Sequence, residues 1–318
     1  MTRAFIFPGQ GSQAVGMGKV LAEAFAPARA VFEEVDDALG QNLSRLMWEG
    51  PEADLVLTEN AQPAIMAASI AVLRVLEREA GLDVARHARL VAGHSLGEYS
   101  ALCAAGAFSL ADTAKLLKIR GQAMQAAVPV GEGGMVALLG ADIVLAEEIA
   151  QDAVAAASEA GPVCVIANDN APGQVVISGR KATVDRAADI AKTKGVKRAV
   201  ALAVSAPFHC QLMQPAAEAM AEALAKVTIA PLTVPVVANV IAAEASEPET
   251  VRRLLVEQVT GRVRWRESVA AFRGLGVESA VEFGGNKVLT GMVKRIDKDL
   301  PSVSLDTPAD IEAFARTL

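Results

Sequence analysis

The 318 residues predict an α/β protein, a hydrolase-like core with a parallel sheet and an inserted ferredoxin-like β-α-β-β-α-β subdomain. Three observations carry that expectation. Short apolar runs alternate with alanine-rich helical segments along most of the chain, as in a parallel sheet covered by helices. One such run, residues 89–92, feeds directly into Gly93-His94-Ser95-Leu96-Gly97 and then a small-residue helix, the pattern of a nucleophile elbow. Between residues 130 and 203 the texture changes to a compact strand-helix-strand-strand-helix-strand series that can close a sheet of its own.

The first strand spans 4–7 and ends in Pro8-Gly9-Gln10-Gly11-Ser12-Gln13. That loop is no dinucleotide or phosphate fingerprint, because Ala14 stands where the third glycine belongs and no Gly-x4-Gly-Lys-Ser/Thr can be drawn. Helical patterns follow at 17–25, 28–39 and 62–80, then the elbow strand and a helix at 98–106. Ser109-Leu110-Ala111-Asp112 has the form of an N-terminal cap and opens a helix that runs to 127. In the insert, strands fall at 135–139, 162–167, 174–178 and 197–203, with helices at 143–158 and 181–194. Beyond it, helix 211–226, strand 234–238, helices 249–259 and 266–275, strand 279–283 and helix 286–296 resume the earlier alternation. The expected division is a core of 1–129 plus 204–318 and a subdomain of 130–203.

A hydrophobic content of 52% in a chain of this length supports a large buried core. The net charge of −7 excludes an extended nucleic-acid face. Cys103, Cys164 and Cys210 form no C-x-x-C pair and lie near no histidine cluster, so neither disulfides nor a metal site is expected. The apolar run before Pro8 is too short for a signal segment, and no uncharged stretch approaches the roughly 18 residues of a membrane span. A cytoplasmic protein is expected. Two basic clusters stand out, Arg262, Arg264 and Arg266 in one and Lys192, Lys194, Lys197 and Arg198 in the other. Each reads either as a solvated rim or as a docking surface for an acidic carrier or a nucleotide phosphate.

Ser95 is the candidate nucleophile, since the elbow leaves its oxygen at a helix N-terminus where backbone N–H groups can stabilise an oxyanion. A serine needs a base, and the chain has three histidines. His94 adjoins Ser95 in a sharp turn that points neighbouring side chains apart, so it reads as packing support. His87 reads as surface. His209 closes the insert in Val204-Ser205-Ala206-Pro207-Phe208-His209, a proline-set loop that can hold an imidazole still, and is the candidate base. Arg120 shares its helix face with Leu116, Leu117, Ala123 and Met124, at −4, −3, +3 and +4. A guanidinium on an apolar stripe needs a partner, either a carboxylate of the protein or one on a substrate entering beside Ser95.

Phe7-Pro8-Gly9-Gln10-Gly11-Ser12-Gln13, the residues Gly93 to Ala101, Arg120-Gly121, the run Asn170 to Gly179 and Pro207-Phe208-His209 together resemble the malonyl-CoA:acyl carrier protein transacylases, over essentially the whole chain. The resemblance implies a ping-pong transfer of malonyl from coenzyme A to the phosphopantetheine thiol of acyl carrier protein, with no cofactor beyond these substrates, in a monomer serving fatty acid synthesis. A standalone polyketide-pathway acyltransferase, a serine thioesterase and a non-catalytic carrier-binding module are the alternatives. The resemblance makes Ser95 nucleophile and His209 base, assigns the oxyanion hole to the N–H groups of Gln10 and Leu96, and gives Arg120 the malonyl carboxylate. It makes the main-chain carbonyl of Gln258 the group that orients the histidine. Phe208 would crowd the α-carbon, and Met124 joins it as a substrate-contacting residue. The sequence departs from the family at Cys210, where serine or threonine is common, and at Gly284-Gly285-Asn286, where Gly-Pro-Gly is common.

Overall fold

A computed structural model describes residues 2–318; Met1, with which the expected core segment begins, lies outside them. Numbered along the chain, the strands are β1 (Arg3–Phe7), β2 (Ala88–Gly93), β3 (Gly133–Leu139), β4 (Cys164–Ala171), β5 (Gln174–Arg180), β6 (Arg198–Ala201), β7 (Val236–Ala238), β8 (Ala243–Ala245), β9 (Ser279–Phe283) and β10 (Ser302–Leu305). They form a six-stranded sheet in the order β10-β9-β1-β2-β7-β8 and a four-stranded sheet in the order β4-β5-β3-β6.

The larger sheet is parallel except for the β7–β8 pair at its edge. Its inner strands β1, β2 and β7 read as mainly apolar runs because both faces are covered. Phe5, Phe7, Val91, Val281 and Phe283 face one core, with Phe283 lying 4.8 Å from Phe5 and 5.3 Å from Phe7, centroid to centroid. Ala4, Ile6, Leu90, Ala92 and Ala280 alternate onto the other face, against Trp265, Val269, Phe272, Leu289 and Val293.

In the smaller sheet every pairing is antiparallel. Helices Ile143–Ala155 and Lys181–Thr193 cover one face, burying Val136, Leu138, Ile149, Ile166, Ile177, Val184 and Ala187 between them. Met135, Ala137 and Val176 point the opposite way and join the main core. Val263 stitches the sheets together, donating its N–H to the Ala167 carbonyl at 2.8 Å and accepting from the Asp169 N–H at 2.9 Å.

Helix Leu110–Ala127 starts at its expected cap, where the Ser109 side chain accepts from the Asp112 N–H at 3.0 Å. Other boundaries differ. The expected 62–80 helix begins at Thr58 and carries Pro63 inside it. Helix 211–226 opens instead with a 3-10 turn, Gln211–Met213, before Gln214–Ala225. β4 runs on to Ala171 through the polar residues Asn168, Asp169 and Asn170, which read as loop but are buried in the join between the sheets. The short helices Leu43–Glu49, Glu52–Leu55 and Val84–His87, the edge strands β8 and β10, and helix Pro308–Ala315 carry too few residues for a periodic signal to appear.

Candidate active site

The site lies at the carboxyl ends of the central parallel strands, where such sheets place their ligands. After β2, Ser95 adopts φ 52°, in the left-handed region that a side chain disfavours, and helix Gly97–Ala104 begins two residues later. The flanking glycines are required by contact. A Cβ at Gly93 would lie 1.9 Å from the Gly97 carbonyl oxygen, and one at Gly97 would lie 2.2 Å from that of Phe7. Asn239, just past β7, pins the turn: its Oδ1 accepts from the Ser95 N–H at 2.8 Å and its Nδ2 donates to the Gly93 carbonyl at 2.7 Å.

The Ser95 hydroxyl meets His209 Nε2 at 2.7 Å. On the far side of the ring, Nδ1 faces the carbonyls of Gln258 at 2.9 Å and Gly261 at 3.1 Å. Two carbonyl acceptors assign the proton to Nδ1, which leaves Nε2 to accept from the serine. Burial and the nearby Arg120 cation push the imidazole down to about 3, so it is held neutral. Carbonyls rather than a carboxylate thus orient this base. Cys210 supports the same loop, its thiol donating to the Pro207 carbonyl at 3.1 Å. The other histidines differ: His87 contacts the Asp83 carbonyl in its own short helix, whereas His94 packs edge-on to Trp265, bonds Asn170 at 2.7 Å and lines the cleft.

Arg120 is 1% exposed. Helix Leu110–Ala127 brings it in because Gly121 packs against the start of helix Thr58–Ala80, where a Cβ would lie 2.5 Å from Glu59 Cα. Nη1 donates to Gln62 Oε1 at 2.8 Å; Nη2 donates to Gln258 Oε1 at 2.9 Å and reaches Ser95 Oγ at 3.1 Å. Nε has no partner, and the guanidinium carbon stands 5.7 Å from the Tyr99 ring centre. Among the described residues no carboxylate pairs directly with Arg120, so the internal ion pair is not what satisfies it. Neutral amides hold the cation in place, and the nearby Glu98 carboxyl acts on it only through space, without a direct ion pair.

These groups face a cleft of about 390 Å³ between the two sheets, walled also by Met124, Met135, Leu202 and Phe208. Gln10 and Leu96 line it beside Ser95, and their N–H groups have no acceptor among the described residues. The Gln10 loop is wedged in place, since a Cβ at Gly285 would lie 2.6 Å from Pro8 and one at Gly9 would lie 2.6 Å from the His94 carbonyl oxygen. Gln62, Glu98, Asn239 and Gly261 escaped the sequence reading. Of these only Glu98, charged and next to the elbow, left a signal that could have been followed.

Most of the charge of the basic clusters is spent on neighbours, which favours the solvated rim over the docking surface. Arg262 pairs with Glu147 at 2.6 Å, Arg264 with Glu267, and Arg266 with the buried Asp169 at 2.8 Å. Lys192 pairs with Asp189 at 2.8 Å, and Lys194 with Glu148 and, at 2.7 Å, with Asp152. Lys197 lies along Gly140.

Capture of an acyl group on oxygen is the chemistry that a strained serine, a neutral imidazole and two free N–H groups permit. Residues 4–300 match the acyl transferase domain family, and the chain is an acyltransferase of that α/β class. More narrowly, it belongs to the malonyl CoA-acyl carrier protein transacylase family. It is 43% identical to the malonyl CoA-acyl carrier protein transacylase of Bacillus subtilis, over 99% of this chain and 96% of that one. The crystal structure of an acyl-carrier-protein S-malonyltransferase from Bartonella henselae superposes with a TM-score of 0.96 at 56% identity, covering 100% of this chain and 99% of the other. A malonyl-transacylase solved in complex with its type II polyketide acyl-carrier protein gives 0.94 at 40% identity over the whole of both chains.

Proposed function

We propose that the chain moves malonyl from malonyl-CoA to the phosphopantetheine thiol of acyl carrier protein through a malonyl ester on Ser95. As Ser95 Oγ attacks the thioester carbonyl, its proton passes to His209 Nε2. The tetrahedral oxyanion is met by the N–H groups of Gln10 and Leu96. The C–S bond then breaks, and the leaving thiolate of coenzyme A takes the proton back from His209. In the second half the carrier's thiol gives its proton to His209 and attacks the ester, the bond from Ser95 Oγ to the acyl carbon breaks, and His209 returns the proton to Ser95 Oγ. Nothing is oxidised or reduced, so the two substrates suffice without a cofactor. The malonyl carrier so formed supplies fatty acid elongation. The proposed setting is a cytoplasmic monomer; no helix among the described residues is long and apolar enough to cross a membrane.

The observation that carries this reading is Arg120 Nη2 standing 3.1 Å from Ser95 Oγ with no carboxylate of the protein against it. A thioesterase for uncharged acyl groups has no use for a buried cation at the nucleophile, whereas the free carboxylate of malonyl fits it with a charge-assisted pair. Phe208 and Met124 would flank the acyl group. Mass spectrometry after incubation with malonyl-CoA tests the scheme. One malonyl mass is expected on the peptide holding Ser95, discharged by added acyl carrier protein and absent from Ser95→Ala; an undiminished adduct in that variant overturns it.

A further inference from the structure

The polar contacts of the site converge on Gln258, fully buried on helix Pro248–Thr260. Its main-chain carbonyl holds His209, and its side-chain Oε1 accepts from Arg120. Its Nε2 donates to the Ser95 carbonyl at 3.0 Å and to Glu98 Oε2 at 2.9 Å. The two ends of an amide have nearly the same shape, so only its neighbours decide which end points where. Turned over, the amide would set NH₂ against the Arg120 guanidinium, donor to donor. Its oxygen would face the Ser95 carbonyl and Glu98, acceptor to acceptor. Glu98 is the side-chain member of that pair of acceptors. It is 1% exposed on the first turn of helix Gly97–Ala104, and its Oε2 also accepts from the Asn239 N–H at 3.0 Å.

We propose that Glu98 is a positioning residue for acyl selectivity: its Oε2 fixes the Gln258 amide so that Oε1 faces Arg120 and keeps the guanidinium aimed at Ser95. The inference rests on the carboxylate role proposed for Arg120. Glu98 touches neither Ser95 Oγ nor the imidazole; its hydrogen bond toward Arg120 runs through the Gln258 amide, and its other one holds the Asn239 N–H. Burial lifts its carboxyl to about 7, against the pull of Gln258, Asn239 and Arg120. A proton on Oε1 still leaves Oε2 free to accept, so acceptor geometry rather than charge carries the effect.

Conservative variants separate these roles. Glu98→Gln can put its amide oxygen where Oε2 lies and should keep the malonyl-over-acetyl ratio of kcat/KM within about threefold, whereas Glu98→Leu should lower that ratio by about 10–100-fold, mostly through KM for malonyl-CoA. A merely structural role would depress both acyl substrates alike. Equal losses, or a Glu98→Gln ratio as poor as that of Glu98→Leu, overturn the proposal. Should Glu98→Leu fail to fold, Glu98→Asp decides: it keeps the charge but withdraws the acceptor by one methylene, so the ratio must fall further than in Glu98→Gln, and the reverse order overturns the inference. Arg120→Ala distinguishes the two levels. If it keeps the malonyl preference, the carboxylate role itself fails; if it loses the preference while the Glu98 variants do not, only the role of Glu98 fails.

Discussion

The two ends of the cleft are made of different material. Around Ser95 the construction is backbone: a positive φ, and glycines at 93 and 97 that admit no Cβ against the carbonyls of Gly97 and Phe7. Around Arg120 it is side chain, with amides of Gln62 and Gln258 and the Glu98 carboxylate meeting from three separate helices. The difference divides the labour of catalysis. Backbone strain sets the position of the nucleophile for any acyl group, whereas exchangeable side chains select among acyl groups. Damage at the first end should cost turnover of every substrate, and damage at the second should cost choice.

The largest effect expected after loss of Ser95 itself is therefore a non-selective one. His209→Ala should slow single-turnover acylation by about 10²–10⁴-fold, the range for a lost general base, with malonyl-CoA and acetyl-CoA affected alike. Stopped-flow measurement with both donors checks this. A loss confined to malonyl would place His209 on the selective side and break the comparison.

The same division explains what the sequence made legible. The elbow is local, so its glycine spacing and its apolar strand could be read directly from residues 89–97, and Arg120 declared itself by sitting on an apolar stripe. The β-α-β-β-α-β order was equally readable, because its elements before β6 are long enough to show their period. Gln62 and Asn239 gave no signal, since an amide inside a helix or past a strand is ordinary until the fold brings it to within hydrogen-bond distance of a buried cation or a strained N–H. Gln258 entered only through family resemblance, and there only for its carbonyl; the contacts of its side chain depend on a helix remote in sequence. The basic clusters illustrate the converse. Their cations are conspicuous in the sequence, but the carboxylates that pair with them come mainly from other elements.

A smaller, selective effect is expected at the other end. Arg120→Ala should lower kcat/KM for malonyl-CoA by about 10²–10³-fold while acetyl-CoA is unchanged or improved, because the variant removes both a charge-assisted partner and a cation that acetyl leaves unpaired. Its pH profile sharpens the point. His209 works as the neutral base and burial and Arg120 hold it at about 3, so the acid limb of acylation should lie far below the ordinary imidazole value near 6.5. Removing the cation removes one of those two causes, and the acid limb measured with acetyl-CoA should move upward while burial keeps it below that ordinary value. An unmoved limb would mean that the guanidinium does not act on the imidazole.

Outside both ends the expected effects are smallest, and the basic clusters provide the test. Lys194 and Arg262 already face carboxylates across exposed surface, where each pair is screened and adds little. Replacing either by alanine should leave KM for acyl carrier protein within about twofold and the malonyl preference untouched, as expected for screened surface pairs. Arg266 differs in one respect, because its partner Asp169 is 1% exposed and lies on β4 where the two sheets are joined. Arg266→Ala leaves that carboxylate unpaired, and with the arginine itself partly solvated the loss should be about 1–2 kcal/mol, read as a Tm lower by about 1.5–3 °C. Acyl selectivity should not follow, since Asp169 contacts none of the groups around Ser95 or Arg120. A several-fold rise in carrier KM for Lys194→Ala or Arg262→Ala at unchanged Tm would show that the paired cations still meet the carrier, and carrier binding would then belong with the side-chain end of the molecule rather than outside both.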